Sequence, residues 1–185
     1  MNQTADVVIV GGGVIGCSIL YSLASQGITK VLLLEKNTLG SGSTGRSQAI
    51  LRMHYSNEVT TRMAWESLTV FRNFEEIVGY PSGYVETGYL LIVGSADQQA
   101  MIQNIVMQKK LGVETDILSR DNLKEVTPQF VVSSEESCAF EPRSGYADPS
   151  AVVHGYAKKA TALGATVKTN APVTDITVSQ GQIKQ

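Results

Sequence analysis

Gly11, Gly13 and Gly16 lie within one short run, GGGVIG, and Glu35 closes the next apolar run, VLLLE. These residue types suit the binding of a pyrophosphate and a ribose. Gly11 permits a tight turn out of the strand DVVIV. Gly13 lacks a side chain, so a phosphate can approach the backbone. Gly16 lets a helix pack against the sheet. Val14 and Ile15 open that helix, whose first N–H groups and partial positive charge face an anion. Glu35 follows after about 20 residues, the interval at which an acid accepts hydrogen bonds from ribose hydroxyls. Lys36 can border the adenine or the ribose. The set implies a cofactor that contains ADP.

A second polar stretch, LGSGSTGRSQAILR, comes after Glu35, and ILRMHY overlaps its end. A nicotinamide enzyme has no particular need for another phosphate-side loop here, whereas a long, extended cofactor does. Read with the fingerprint, GGGVIG, LLLEK and GSTGRSQ resemble the FAD-dependent amine and amino-acid oxidoreductases. That family includes glycine oxidase, the sarcosine oxidase beta subunit, dimethylglycine dehydrogenase and L-proline dehydrogenase. TGYLLIV and GYADPSAVVHGYAKKATALGATV extend the resemblance along nearly the whole chain.

The resemblance implies FAD as cofactor. It assigns Ser43, Thr44, Arg46, Ser47 and Gln48 to the loop that reaches the phosphates and the ring edge. Ala49 and Ile50 then let the backbone approach the flavin, and the backbone of Val173 contacts the adenine. Arg52 takes the place of the family's carboxylate-binding arginine, a role that suits a planar guanidinium able to donate two parallel hydrogen bonds. Tyr55 falls in the substrate pocket. His54 is a weak match to the histidine that tethers flavin in some relatives. The implied reaction is oxidation of a small amino acid's amine to an imine, with the hydride passing to flavin. The substrate is of the sarcosine, dimethylglycine, glycine or proline type. Two alternatives remain. One is a flavin enzyme for a 2-hydroxy acid or glycerol 3-phosphate; the other is a non-catalytic nucleotide-binding subunit.

The elements that must position these residues follow from periodicity. Residues 6–35 read as strand, helix and strand, with the helix over 14–26 and Gly27 as its stop. Residues 57–78 carry a helical stripe of Val59, Met63, Val70, Phe74 and Ile77. Strands are expected at 88–93, 113–118, 138–140 and 165–169, with helices at 95–111 and 119–126. Asp148 followed by Pro149 starts another helix, a favoured N-terminal pair. VTDITV and IKQ read as a closing hairpin.

The fold class is α/β, a Rossmann-like FAD-binding domain interleaved with a smaller α+β substrate domain. Residues 1–50 and 146–185 belong to the first, 80–145 to the second, and 51–79 form a connecting helical region. The apolar parallel strands need cover on both faces, and few segments remain to supply it. The reading is therefore of an N-terminal fragment that lacks its C-terminal half. The alternative is a chain completed by a second polypeptide, and a second redox subunit is a candidate partner.

Composition sets the outer bounds. The chain has 185 residues, 43 % of them hydrophobic and 17 % charged, with a net charge of −2. That balance gives no electrostatic reason to expect nucleic acid as a partner. No apolar run is long enough to span a bilayer, and the default location is cytoplasmic. Cys17 and Cys138 lack metal-ligand spacing, and Cys17 reads as a small buried residue.

Overall fold

VVIV and VLLL are rich in β-branched and leucine residues, and they pair as strands in the computed structural model, which describes residues 4–183. In chain order the elements are β1 (Val7–Val10), α1 (Val14–Ser25), β2 (Val31–Leu34), a 3-10 turn (Thr44–Arg46) and β3 (Ile50–Leu51). Next come α2 (Glu58–Arg72), α3 (Phe74–Val78), β4 (Val85–Glu86), β5 (Tyr89–Val93), α4 (Gln98–Lys110) and β6 (Asp116–Leu118). The remainder are α5 (Arg120–Val126), β7 (Ser137–Glu141), β8 (Gly145–Tyr146), α6 (Pro149–Ala162), β9 (Thr166–Lys168), β10 (Val178–Ser179) and β11 (Gln182–Ile183).

The chain divides into two units. The first combines the residues up to Ala49, Phe74–Gly83 and those from Asp148 onward. The second combines Ile50–Asn73 and Tyr84–Ala147. The helical region expected to connect two domains is thus split: α2 counts with the second unit and α3 with the first. Asn73 is the break, capping α2 with φ −109° and ψ 24°.

In the first unit β1, β2 and β9 form a parallel sheet in that order. Parallel neighbours require a crossover, and α1 and α6 follow β1 and precede β9 to provide them. The two helices pack together. Cys17, Leu20 and Ala24 from α1 and Val153 and Ala160 from α6 are buried, as are Val31 and Leu33 of β2. Tyr156 packs edge-on against Phe74 at 4.8 Å and lies 5.3 Å from Tyr21. Gly155 makes this possible, because a Cβ there would lie 2.8 Å from Phe74 Cε1. The expected cap is present: Asp148 Oδ1 accepts the N–H groups of Ser150 and Ala151 at 2.8 and 3.1 Å. On the sheet's other face Val8 and Val10 remain exposed, at 51 % and 58 %.

The second unit holds two antiparallel sheets, ordered β3-β8-β4 and β5-β7-β6. Met101 and Ile105 of α4 pack on Ala139, Leu91 and Val93. Leu68 of α2 joins Met53 and Val113 in a second cluster. Of the helical stripe proposed for residues 57–78, Phe74 is buried and Val70 half-buried, but the other three residues do not form a buried face. Val59 and Met63 are exposed at 70 % and 62 %, and Ile77 at 40 %, while Thr61 and Leu68 are buried. Two short helices with different faces replace one long one. The strand expected at 113–118 begins only at Asp116, VTDITV contributes only its last residue, Val178, to β10, and of IKQ only Ile183 falls within the described residues.

Candidate functional site

The glycine turn has the geometry its residue types call for. Gly11 sits at φ 106°, a left-handed conformation that glycine tolerates best. Its N–H donates to Leu34 O at 2.8 Å, tying the turn to β2. A Cβ on Gly16 would lie 2.0 Å from Gly11 O, so only hydrogen fits there. Gly13 is the N-cap of α1, with extended φ and ψ of −82° and −177°. A Cβ on Gly13 would meet only Thr44 Oγ1, at 3.0 Å.

Two further amides of this turn have partners. Gly12 N–H donates to Glu35 Oε2 at 2.7 Å, and Val14 N–H to Thr44 Oγ1 at 3.0 Å. The amides of Gly13 and Ile15 make no hydrogen bond among the described residues. These are the unpaired donors that a helix N-terminus offers an anion. Thr44 therefore acts as an acceptor for the helix end, which GSTGRSQ alone did not reveal.

Glu35 is buried, at 8 % exposure. Its Oε1 also accepts Asn37 N–H at 2.8 Å. The Asn37 and Gly12 amides hold its carboxyl below the ordinary glutamate value. Each oxygen can still accept from another donor, so the residue remains suited to a ribose hydroxyl. Gly12 and Gly40, absent from the sequence reading, complete the cradle. Gly40 N–H donates to Gly12 O at 2.8 Å, and a Cβ on Gly12 would be 2.6 Å from Leu39 Cδ2. The run of three glycines was the available signal for Gly12.

The remaining loop residues are more open. Lys36, Ser43, Arg46, Ser47 and Gln48 are exposed. Ser47 Oγ accepts Ala49 N–H at 2.9 Å, and Ala49 takes φ 49°. Ile50 lies in β3 of the second unit, half exposed at 49 %. Val173 is 36 % exposed and outside regular structure. Cys17 is fully buried and burial pushes its thiol up to about 11, so it is inert at neutral pH.

A different arrangement surrounds Arg52 in the second unit. Its guanidinium carbon lies 4.7 Å from the Tyr55 ring centroid and 5.5 Å from that of Tyr89. Nη1 donates to the carbonyl of His54. It makes no ion pair among the described residues. The segment between Arg52 and Tyr55 is irregular and is held by buried polar side chains. Glu141 Oε2 accepts Met53 N–H at 2.9 Å and the Ser144 hydroxyl at 2.7 Å. Gln108 Nε2 donates to Tyr55 O at 3.4 Å. A cleft of about 170 Å³ opens here, lined by Arg52, Met53, Tyr55, Leu68 and Phe71 among others.

His54 Nδ1 faces Glu141 Oε1 at 3.7 Å, and both atoms are buried without a hydrogen-bond partner. Burial, helped by Arg52, pushes the imidazole down from its ordinary value. Burial pushes the Glu141 carboxyl up, against the Met53 amide, the Ser144 hydroxyl and the Arg52 charge. Sequence reasoning missed Glu141, Ser144, Gln108 and Tyr89.

The profile of the FAD dependent oxidoreductase family matches residues 6–185. The chain belongs to that family. It is 33 % identical to human mitochondrial sarcosine dehydrogenase over 180 residues, covering 96 % of this chain and 20 % of that protein. It is 29 % identical to the sarcosine oxidase beta subunit of Rhizobium meliloti, covering 96 % of this chain and 44 % of that one. The crystal structure of L-proline dehydrogenase from P. horikoshii superposes with a TM-score of 0.91 at 28 % identity, over all of this chain and 49 % of that one. The chain thus spans between a fifth and a half of these relatives. FAD is the cofactor of the family. The side-chain-free Gly13, the unpaired amides beside it and the buried Glu35 fit its ADP portion. Among the described residues no helix is long and apolar enough to cross a membrane, and no cluster of three or more His, Cys, Asp or Glu could hold a metal.

Proposed function

We propose that this chain contributes the ADP-binding half and the substrate-carboxylate receptor of an enzyme that oxidises the amine of a small amino acid to an imine. FAD, when bound, supplies the two-electron acceptor. In this reading the chain's residues bind and orient. Gly13, Ile15 and the end of α1 take the pyrophosphate, and Glu35 takes the ribose. Ser43, Arg46, Ser47, Gln48 and the backbone of Ala49 and Ile50 serve the phosphates and the flavin edge, with Lys36 and Val173 toward the adenine. Arg52 holds the substrate carboxylate and Tyr55 lines its pocket.

One observation carries the substrate side. Arg52 is a half-buried cation, set by two tyrosine rings and without a carboxylate partner among the described residues. A guanidinium in that state recognises a carboxylate by paired, charge-assisted hydrogen bonds. Sarcosine, dimethylglycine, glycine and proline share that group next to the amine. Reoxidation by oxygen, a quinone or a second subunit completes the cycle.

The test is anaerobic mixing of the full-length flavoprotein with these four amino acids, a 2-hydroxy acid and glycerol 3-phosphate, read as bleaching of the flavin spectrum. An amino acid should bleach it. Arg52→Ala should weaken amino-acid binding by about 2–4 kcal/mol with flavin content retained. Bleaching by the hydroxy acid or the phosphate alone would move the protein to another substrate class. No bleaching by any of them would favour a non-catalytic role.

A further inference from the structure

We propose that Glu141 is a positioning residue for the Arg52 carboxylate receptor, fixing the irregular 52–55 segment through the Met53 amide. The inference rests on the reading of Arg52 given above and adds to it a residue far away in sequence. No helix or long strand fixes the backbone from Met53 to Tyr55. Its register depends on Glu141 Oε2, which takes the Met53 N–H, and on Gln108, which donates to Tyr55 O. The Ser144 hydroxyl donates to the same carboxylate oxygen. Arg52 in turn donates to the carbonyl of His54, two residues along. The orientation of the guanidinium is therefore tied to the placement of this short backbone stretch.

The second carboxylate oxygen explains why an acid can sit here without consuming the arginine. Glu141 Oε1 faces His54 Nδ1, not Arg52, and neither atom has another partner. The two atoms face each other at 3.7 Å without a hydrogen bond, and Oε2 carries both accepted bonds. Burial pushes the Glu141 carboxyl up, toward its neutral form. To that extent Arg52 keeps its charge for a substrate carboxylate. An ionised Glu141 would instead offer Arg52 an internal counter-charge.

The experiment uses the full-length flavoprotein and propionate, an unreactive small carboxylate, as the titrant. Glu141→Leu keeps the approximate volume but strands the Met53 N–H. Glu141→Gln keeps an acceptor. Ser144→Ala removes only one orienting bond. Glu141→Leu should weaken propionate binding about tenfold and Ser144→Ala about threefold, while Glu141→Gln stays within about twofold of the parent. All three should retain flavin. Each loss should vanish when Arg52 is already alanine, because the effect runs through that side chain. A purely structural role would weaken binding in both backgrounds, and that result overturns the proposal. So does parental affinity in Glu141→Leu and Ser144→Ala. If Glu141→Leu does not fold, Ser144→Ala with and without Arg52→Ala decides the question alone. Unchanged propionate affinity in Arg52→Ala itself would remove the receptor reading, a failure distinct from that of Glu141.

Discussion

The cradle around Gly11–Gly16 and the cluster around Arg52 reach binding geometry by opposite means. The cradle is built from backbone. Its donors are amides, its shape comes from missing side chains, and its side-chain acceptors lie only 23 and 30 positions from the amides they take. The Arg52 cluster is built from side chains. Glu141 lies 88 positions from the amide it holds, and Gln108 lies 53 from its carbonyl. A phosphate can be met by any suitably curved backbone, so glycine spacing encodes the site. A carboxylate needs one cation aimed correctly, and the aim is set by groups that only folding brings near.

The largest effect should separate the two regions. A methyl at Gly16 would lie 2.0 Å from a backbone oxygen that cannot retreat without reshaping the turn. Gly16→Ala should cost roughly 3 kcal/mol or more and abolish flavin retention. Gly42→Ala, where a Cβ meets nothing within 4 Å, should be close to neutral. Thermal melts and flavin-to-protein ratios of the two variants check this. Equal behaviour would mean that the turn does not depend on its close approach.

Legibility in the sequence followed the same division. Gly11, Gly13, Gly16 and Glu35 were readable because each obeys a local rule of turn, approach or interval. Asp148 and Pro149 were readable as a cap for the same reason. Three short strands, Ile50–Leu51, Val85–Glu86 and Gly145–Tyr146, were not. Two-residue strands have no periodicity to detect and exist only because distant segments pair. The stripe through Val59 and Met63 misled because amphipathic spacing marks an apolar face without saying that anything covers it. Glu141 had no signal at all: FEPRSG shows an acid at a strand end, not that it will be buried.

Next in size is Glu35, the one side chain on which the cradle's backbone converges. Its carboxylate accepts the Asn37 and Gly12 amides, and these hold its pKa below the ordinary value. A depressed carboxyl stabilises the fold fully above its unfolded value of about 4.3, and that contribution is lost as pH falls through the folded value. Glu35→Gln should therefore weaken flavin binding and flatten the acid limb of the stability profile below about pH 4.3. Urea melts from pH 3 to 7 measure it. An unchanged acid limb would show that the two amides do not favour the ionised form.

The smallest effect tests the side-chain bond at the start of α1. Thr44 Oγ1 accepts the Val14 N–H at 3.0 Å and is the only group near enough to touch a Cβ on Gly13. It does for α1 what an N-cap side chain ordinarily does, but from another loop, since Gly13 has no side chain to cap with. Thr44→Val keeps the shape and removes the acceptor, which should cost about 1 kcal/mol. Thr44→Ser should cost a few tenths, keeping the hydroxyl and losing a methyl. Bound phosphate sharpens the distinction. If the anion takes the Val14 amide itself, flavin will mask the Thr44→Val defect, and the variant's melting temperature will recover toward the parent's on saturation. If Gly13 and Ile15 carry the anion, the difference between Thr44→Val and Thr44→Ser persists with flavin bound. The two outcomes assign the Val14 amide either to the cofactor or to the loop.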